Sequence, residues 1–291
     1  MAMAVPAPRG YVPRHATPPA ALRRSAAPAR RNTPPRRARR GAPRESAGSI
    51  VIGVLGELLI TAGVLLGLFV AWQLWWTDVV AVREQAQILE SLEWTPPPVE
   101  APQAPTEHRE APPQEPVPPV GDVFAQVYVP KWGSDYVAPI AEGVDKEKIL
   151  DRIGVGHYPG TAMPGELGNF ATAGHRTTYG KPYHLVHELQ PGDPIVVRTQ
   201  STWYVYRVTE HQIVLPQQVE VISPVPGLKP GDPLPELTKR YMTMTACHPM
   251  YSARERYIVH AELDYWTPVS EGVPTQLTEA GVNVVGAGGG A

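Results

Sequence analysis

Cysteine is almost absent: 291 residues contain one, Cys247. A lone thiol excludes an internal disulfide framework. The histidines lack metal-ligand spacing. His157, His184, His187, His211 and His260 show no paired spacing with cysteine or acids, and His184 and His187, three apart, read as ordinary surface. No metal and no cofactor is therefore expected. Acids are missing from the first 44 residues, which carry eleven arginines, and Glu45 is the first acid. This arm, rich in Pro and Ala and without hydrophobic periodicity, has too little apolar surface to form a core. Long apolar runs are missing everywhere but in one place.

That place is Ile50–Trp76, 27 residues with a single charge, Glu57. As a helix it would extend about 40 Å, more than a hydrocarbon core of about 30 Å, so it can span a bilayer with tilt. The arginine excess just before it marks that side as cytoplasmic. It also argues for a membrane topology signal and against a nucleic-acid patch. Trp72, Trp75 and Trp76 stand at the far end, where amphipathic rings favour the interface. Bulky residues there, after so long a basic segment, fit a cleaved signal peptide poorly. Glu57 reads either as an intramembrane partner contact or as a carboxyl near the headgroups. The expected order is a disordered arm over 1–45, an anchor over 46–76 and a possible stalk helix over 77–94. A Pro-rich linker over 95–120, a folded domain over 121–268 and a flexible tail over 269–291 follow.

In the stalk, Val79, Val82, Ala86, Leu89 and Glu93 trace a partly apolar helical face. Thr95–Pro119 holds ten prolines, a composition for an extended, semi-rigid spacer. Beyond Gly121 short apolar runs alternate with Gly/Pro turns. Strands are expected at Val123–Val129, Tyr136–Ile140, Asn169–Gly174, Pro194–Thr199, Thr202–Val208, Arg240–Ala246 and Arg256–Leu263. Short helices are expected at Asp145–Ile153 and Tyr183–Leu189, and loop or irregular strand over Gly154–Gly168. Val219–Leu237, with five prolines, reads as a long loop of the kind that covers a site. Seven or eight short strands with small helices predict a mostly β, closed barrel.

Cys247 ends one β-like run and Arg256 begins the next, so two strands folded back on each other place a thiol beside a guanidinium. His175 lies 72 residues upstream, at the end of a small-residue strand. A cation or imidazolium favours the thiolate, histidine can shuttle protons, and arginine offers a fixed fork of donors. Such a set implies acyl transfer through a thioester. Arg254, two residues from Arg256, competes for the cationic role. His248 adjoins the thiol, and Tyr179 and Tyr183 lie near His175 as wall or core aromatics.

Thr243-Met244-Thr245-Ala246-Cys247, with Arg256 nine positions on, resembles the Thr-Leu-x-Thr-Cys…Arg signature of sortases. Ala173-Gly174-His175-Arg176 resembles their catalytic histidine segment. CHPMYSARERYIV together with GHYPGTAMPGELGNFATAGHRTTYG is most similar to the class E housekeeping sortases of actinobacteria, over about Val123–Asp264. The resemblance implies an eight-stranded sortase-type β-barrel with short helices, preceded by a single transmembrane helix and a Pro-rich linker. It implies a transpeptidase with Cys247 as nucleophile, His175 as general acid/base and Arg256 as stabilising cation. Its partners would be secreted proteins with a C-terminal sorting signal and the amine of a lipid-linked peptidoglycan precursor, with no nucleic acid. The chain would cross the cell membrane once, with its N-terminus cytoplasmic and its catalytic domain extracytoplasmic. Met244 replaces the usual Leu, and Ala246 the usual Thr, so the hydroxyl that the resemblance would place beside a substrate groove is missing. Arg254, His248, Tyr179 and Tyr183 are the other groove candidates. A cysteine protease or amidase using the same Cys and His, with an orienting Asn or Asp, and a non-catalytic wall-binding module remain as alternatives.

Overall fold

The computed structural model describes residues 47–94 and 104–284, so the expectations for the basic arm, for residues 95–103 of the Pro-rich linker and for residues 285–291 lie outside the described residues. Anchor and stalk form one unbroken helix, α1 (Ala47–Ser91), as expected of a stretch with no breaker. It is long and apolar enough to cross a membrane. Its C-terminal end is a docking face within the compact unit formed by residues 57–291. Ala81, Gln85 and Leu89 are buried there, whereas Val82, assigned to the apolar face from sequence, is exposed. A polar residue decides the difference: Gln85 Nε2 donates to the carbonyl of Tyr179 at 3.1 Å, and Asp78 pairs with Lys181 at 2.8 Å.

Eight strands close a barrel: β1 (Val123–Tyr128), β2 (Val137–Glu142), β3 (Val155–His157), β4 (Gly168–Gly174), β5 (Pro194–Arg198), β6 (Thr202–Val214), β7 (Arg240–His248) and β8 (Glu255–Pro268). Their spatial order is β1-β2-β3-β4-β7-β8-β6-β5, with β5 returning to β1. Seven strands match the expected segments. The added one, β3, lies inside the Gly/Pro-rich stretch expected to be loop or irregular strand. Three residues suffice because β2 pairs with it on one side and β4 on the other. The helix expected at Tyr183–Leu189 shrinks to a 3₁₀ turn, Val186–Glu188.

Two-residue periodicity sorts the strands that matter most. Phe170 of β4, Met242, Met244 and Ala246 of β7, and Tyr257, Val259 and Ala261 of β8 fill the core. Their alternates face outward beneath the connection between β6 and β7, where Val221 and Ile222 pack on Ile258. A buried polar chain lies on that outer face. Thr243 Oγ1 donates to Asn169 Oδ1 (2.8 Å) and meets His260 Nδ1 (2.9 Å), while Gln212 reaches His260 Nε2 (3.0 Å). Burial holds the His260 imidazole below its ordinary value of 6.5. The unfolded chain therefore takes up a proton first as pH falls. Stability is present in full above about pH 6.5 and is lost as pH drops toward and through the lower folded value. Thermal unfolding of the detergent-solubilised chain between pH 7.5 and pH 5 should show this decline, flattened in His260→Gln.

Both termini of the domain pack on the barrel. The strands β1, β5, β6 and β8 are also apolar on their outer face, at Tyr128, Val196, Trp203, Val205 and Tyr265. Residues 269–284, expected to be loose, cover it with Val269 and Leu277, the latter in α2 (Thr275–Glu279). The proline-rich segment behaves likewise from residue 104 onward. His108 exchanges backbone hydrogen bonds with Trp266 (2.9 Å each), and Glu115 accepts from Thr199 and Tyr204. This half of the expected spacer is a strap on the domain, since its polar residues have partners that no compositional bias reveals.

Candidate active site

Three strand ends meet at one end of the barrel. Cys247 of β7 lies directly opposite Arg256 of β8 in the antiparallel register. Opposed residues share a face of the sheet. β4 runs parallel to β7 with Ala173 beside Thr245, so two residues further on His175 comes level with Cys247. Alternation gives all three residues the outward face: the core positions are Met244, Ala246 and Tyr257, one step removed from Cys247 and Arg256. His175, Cys247 and Arg256 are each half-buried. Residue 176 seals the junction, for Arg176 reaches the Cys247 carbonyl at 3.4 Å and His248 Nδ1 at 2.8 Å.

Arg256 is fixed at one corner. Its Nη1 donates to the carbonyls of Ala253 and Glu255, both at 2.9 Å. Nε and Nη2 have no hydrogen-bond partner among the described residues. Arg254 precedes β8 on an exposed turn, whereas Arg256 stands in the strand opposite Cys247. His248 serves Arg176. Tyr179 lies with its ring 5.3 Å from that of His175.

Two groove candidates are corrected. Ala246 is 2% exposed and belongs to the core, so a hydroxyl there would face the barrel interior. Tyr183 is fully buried, its hydroxyl bonded to Thr172 Oγ1 at 2.8 Å, and its burial pushes the phenol well up. Its ring instead supports the strand end beneath His175. A Cβ on Gly174 would lie 2.8 Å from that ring. Gly174→Ala should therefore displace the end of β4, costing about 1–3 kcal/mol of stability in a core that cannot yield. Denaturant titration would measure the loss.

Two further neighbours are not among the candidates read from the sequence, although Arg176 stands in the Ala-Gly-His-Arg segment. Arg176 is 4% exposed, its guanidinium 5.5 Å from the Tyr257 ring. Burial lowers its pKa from the ordinary value, while Tyr257 and Cys247 work in the opposite direction. Asp151, at the end of a wide helical turn (Lys146–Leu150), accepts from His175 Nε2 at 2.6 Å. Among the described residues no group of His, Cys, Asp and Glu is arranged to hold a metal ion.

A closed barrel with a thiol, an imidazole and a guanidinium at one rim defines the class: a cysteine enzyme built for acyl transfer. The sortase domain family matches residues 127–264. Sortase SrtE2 of Streptomyces coelicolor is 35% identical, over 73% of this chain and 81% of its own. Sortase SrtE1 of the same organism is 39% identical over 82% of this chain, the match spanning 65% of SrtE1. Among solved structures, the SrtA sortase from Actinomyces oris is 44% identical with a TM-score of 0.54, covering 61% of this chain and 100% of that one. The chain belongs to the sortase family, the cysteine transpeptidases.

Proposed function

We propose that this protein is a membrane-anchored transpeptidase that cleaves a Leu-Pro/Ala-x-Thr-Gly-like sorting signal after Thr. It joins the freed carboxyl to the amine of a lipid-linked peptidoglycan precursor. The observation that carries this is the pairing of Cys247 with Arg256 across β7 and β8, level with His175. The Cys247 thiolate attacks the Thr carbonyl carbon, and the oxygen takes up the negative charge beside Arg256. His175 as imidazolium protonates the leaving amine as the C–N bond breaks, leaving a thioester and a neutral imidazole. The acceptor amine then attacks the thioester, His175 takes its proton, and the thiolate departs. The apolar part of α1 would hold the domain at the membrane, with the arginine-rich arm on the cytoplasmic side.

The contact of Asp151 with His175 also suits hydrolysis, because an acid behind histidine is the arrangement of a thiol protease. One experiment separates the readings. The full chain in detergent is incubated with a sorting-signal peptide and a peptidoglycan stem peptide, and the products are resolved by mass. Transpeptidation gives a peptide–amine adduct, hydrolysis gives free acid, and a binding module gives neither. The adduct is the expected product, and free acid alone would overturn the proposal.

A further inference from the structure

The imidazole of a shuttling histidine must present one nitrogen to the reaction and have the other held, or its tautomer is undetermined. His175 meets that condition through a residue no motif marks. Its Nε2 lies 2.6 Å from Asp151 Oδ1, with the two side chains only 15% and 11% exposed. An ionised carboxylate only accepts, so the hydrogen of the neutral ring lies on Nε2. Nδ1 has no hydrogen-bond partner among the described residues.

Local structure explains why Asp151 is there. Asp145 caps the turn by accepting from the backbone of Lys148 (2.8 Å). The turn is wide, with Leu150 N–H reaching Asp145 O and Asp151 N–H reaching Lys146 O. Such i→i+5 turns recur at functional sites. Its end leads into β3, whose Val155 pairs with Gly174, so residues before Val155 lie beside those after Gly174. The turn takes the backbone N–H of Asp151 and, through Lys146 Nζ at 2.9 Å, its Oδ2, while Oδ1 points out of the turn to His175. Lys146 is largely exposed and also sits 5.3 Å over the ring of Tyr179, which flanks His175. Imidazole, carboxylate, ammonium and phenol ring thus form one cluster, of which only His175 belongs to the proposed chemistry.

Resting on that proposed chemistry, we infer that Asp151 is a positioning residue: its carboxylate holds His175 through Nε2 and leaves Nδ1 to move the proton. No bond to substrate is assigned to it. In single-tautomer form Nδ1 accepts from the incoming amine, and as imidazolium it donates to the departing one.

The test uses the full chain in detergent with the sorting-signal peptide and stem peptide. Asp151→Ala should lower kcat about 10- to 100-fold with KM within about threefold, because orientation is lost and binding is not. Lys146→Ala, at an exposed partner, should change kcat by less than about threefold. Nitrogen-15 spectra of ring-labelled His175 should show an Nε2–H ring in the parent and a tautomer mixture in Asp151→Ala. If Asp151→Ala misfolds, the isosteric Asp151→Asn supplies the same readouts and should also lose at least about tenfold in kcat. Parental kcat in the folded variant, or an unchanged tautomer, would overturn the inference while an inactive His175→Ala left the acyl-transfer reading intact. An active His175→Ala would instead overturn the acid/base assignment beneath it.

Discussion

Cys247→Ala is expected to abolish peptide–amine product, with a loss of at least about 10⁴-fold, because no other residue supplies a covalent route. The magnitude follows from what the sulfur does. It divides one difficult amide exchange into two thioester steps, and neither exists without it. Fold and stability should survive, since Cys247 is half-buried on the outward face and the core residues beside it, Ala246 and Tyr257, are untouched. Binding of the sorting-signal peptide should survive too. Measuring product by mass and binding by fluorescence anisotropy on the same variant separates chemistry from recognition. Product from Cys247→Ala would remove the nucleophile assignment.

Arg256→Ala should lower kcat about 10²–10³-fold, the usual cost of removing a donor aimed at a developing oxyanion. Arg256→Lys keeps the charge but loses the fork, and should recover only part of that loss. Because Nη1 also ties the carbonyls of Ala253 and Glu255, the alanine variant loosens the turn before β8 as well. A thermal unfolding midpoint close to the parent's, combined with a kcat effect exceeding any KM effect, isolates the transition-state contribution. The matching Arg254→Ala should stay within about threefold of the parent, as exposed charges away from reacting atoms contribute little. Equal losses from the two arginine variants would contradict the assignment.

The placing of Cys247 beside Arg256 on paired strands was legible from alternation and motif. Met242-Thr243-Met244-Thr245-Ala246-Cys247 writes its inward and outward faces in order, and a strict reading of it already puts Ala246 with the methionines. The closed β-barrel and its catalytic strands followed from the same period. What escaped depends on tertiary partners. β3 is too short and too glycine-rich to announce itself, and exists because two strands flank it. Asp151 reaches His175 only through a wide turn and a sheet register. The docking face of α1 is centred on Gln85, a polar residue that an apolar pattern overlooks, and it holds the backbone of the loop following His175. The packing of residues 269–284 answers an outer apolar face that is visible only once the strands are assembled.

The central claim is that Cys247, brought level with His175 and Arg256 at the barrel rim, carries the acyl group. Intact-mass measurement of the full chain during turnover of a sorting-signal peptide, with acceptor withheld, tests it most directly. The account predicts one added mass, equal to the peptide acid ending at Thr less one water and mapped to Cys247, that disappears when the stem peptide is supplied. Turnover with no such adduct, or an adduct on any other residue, would contradict it.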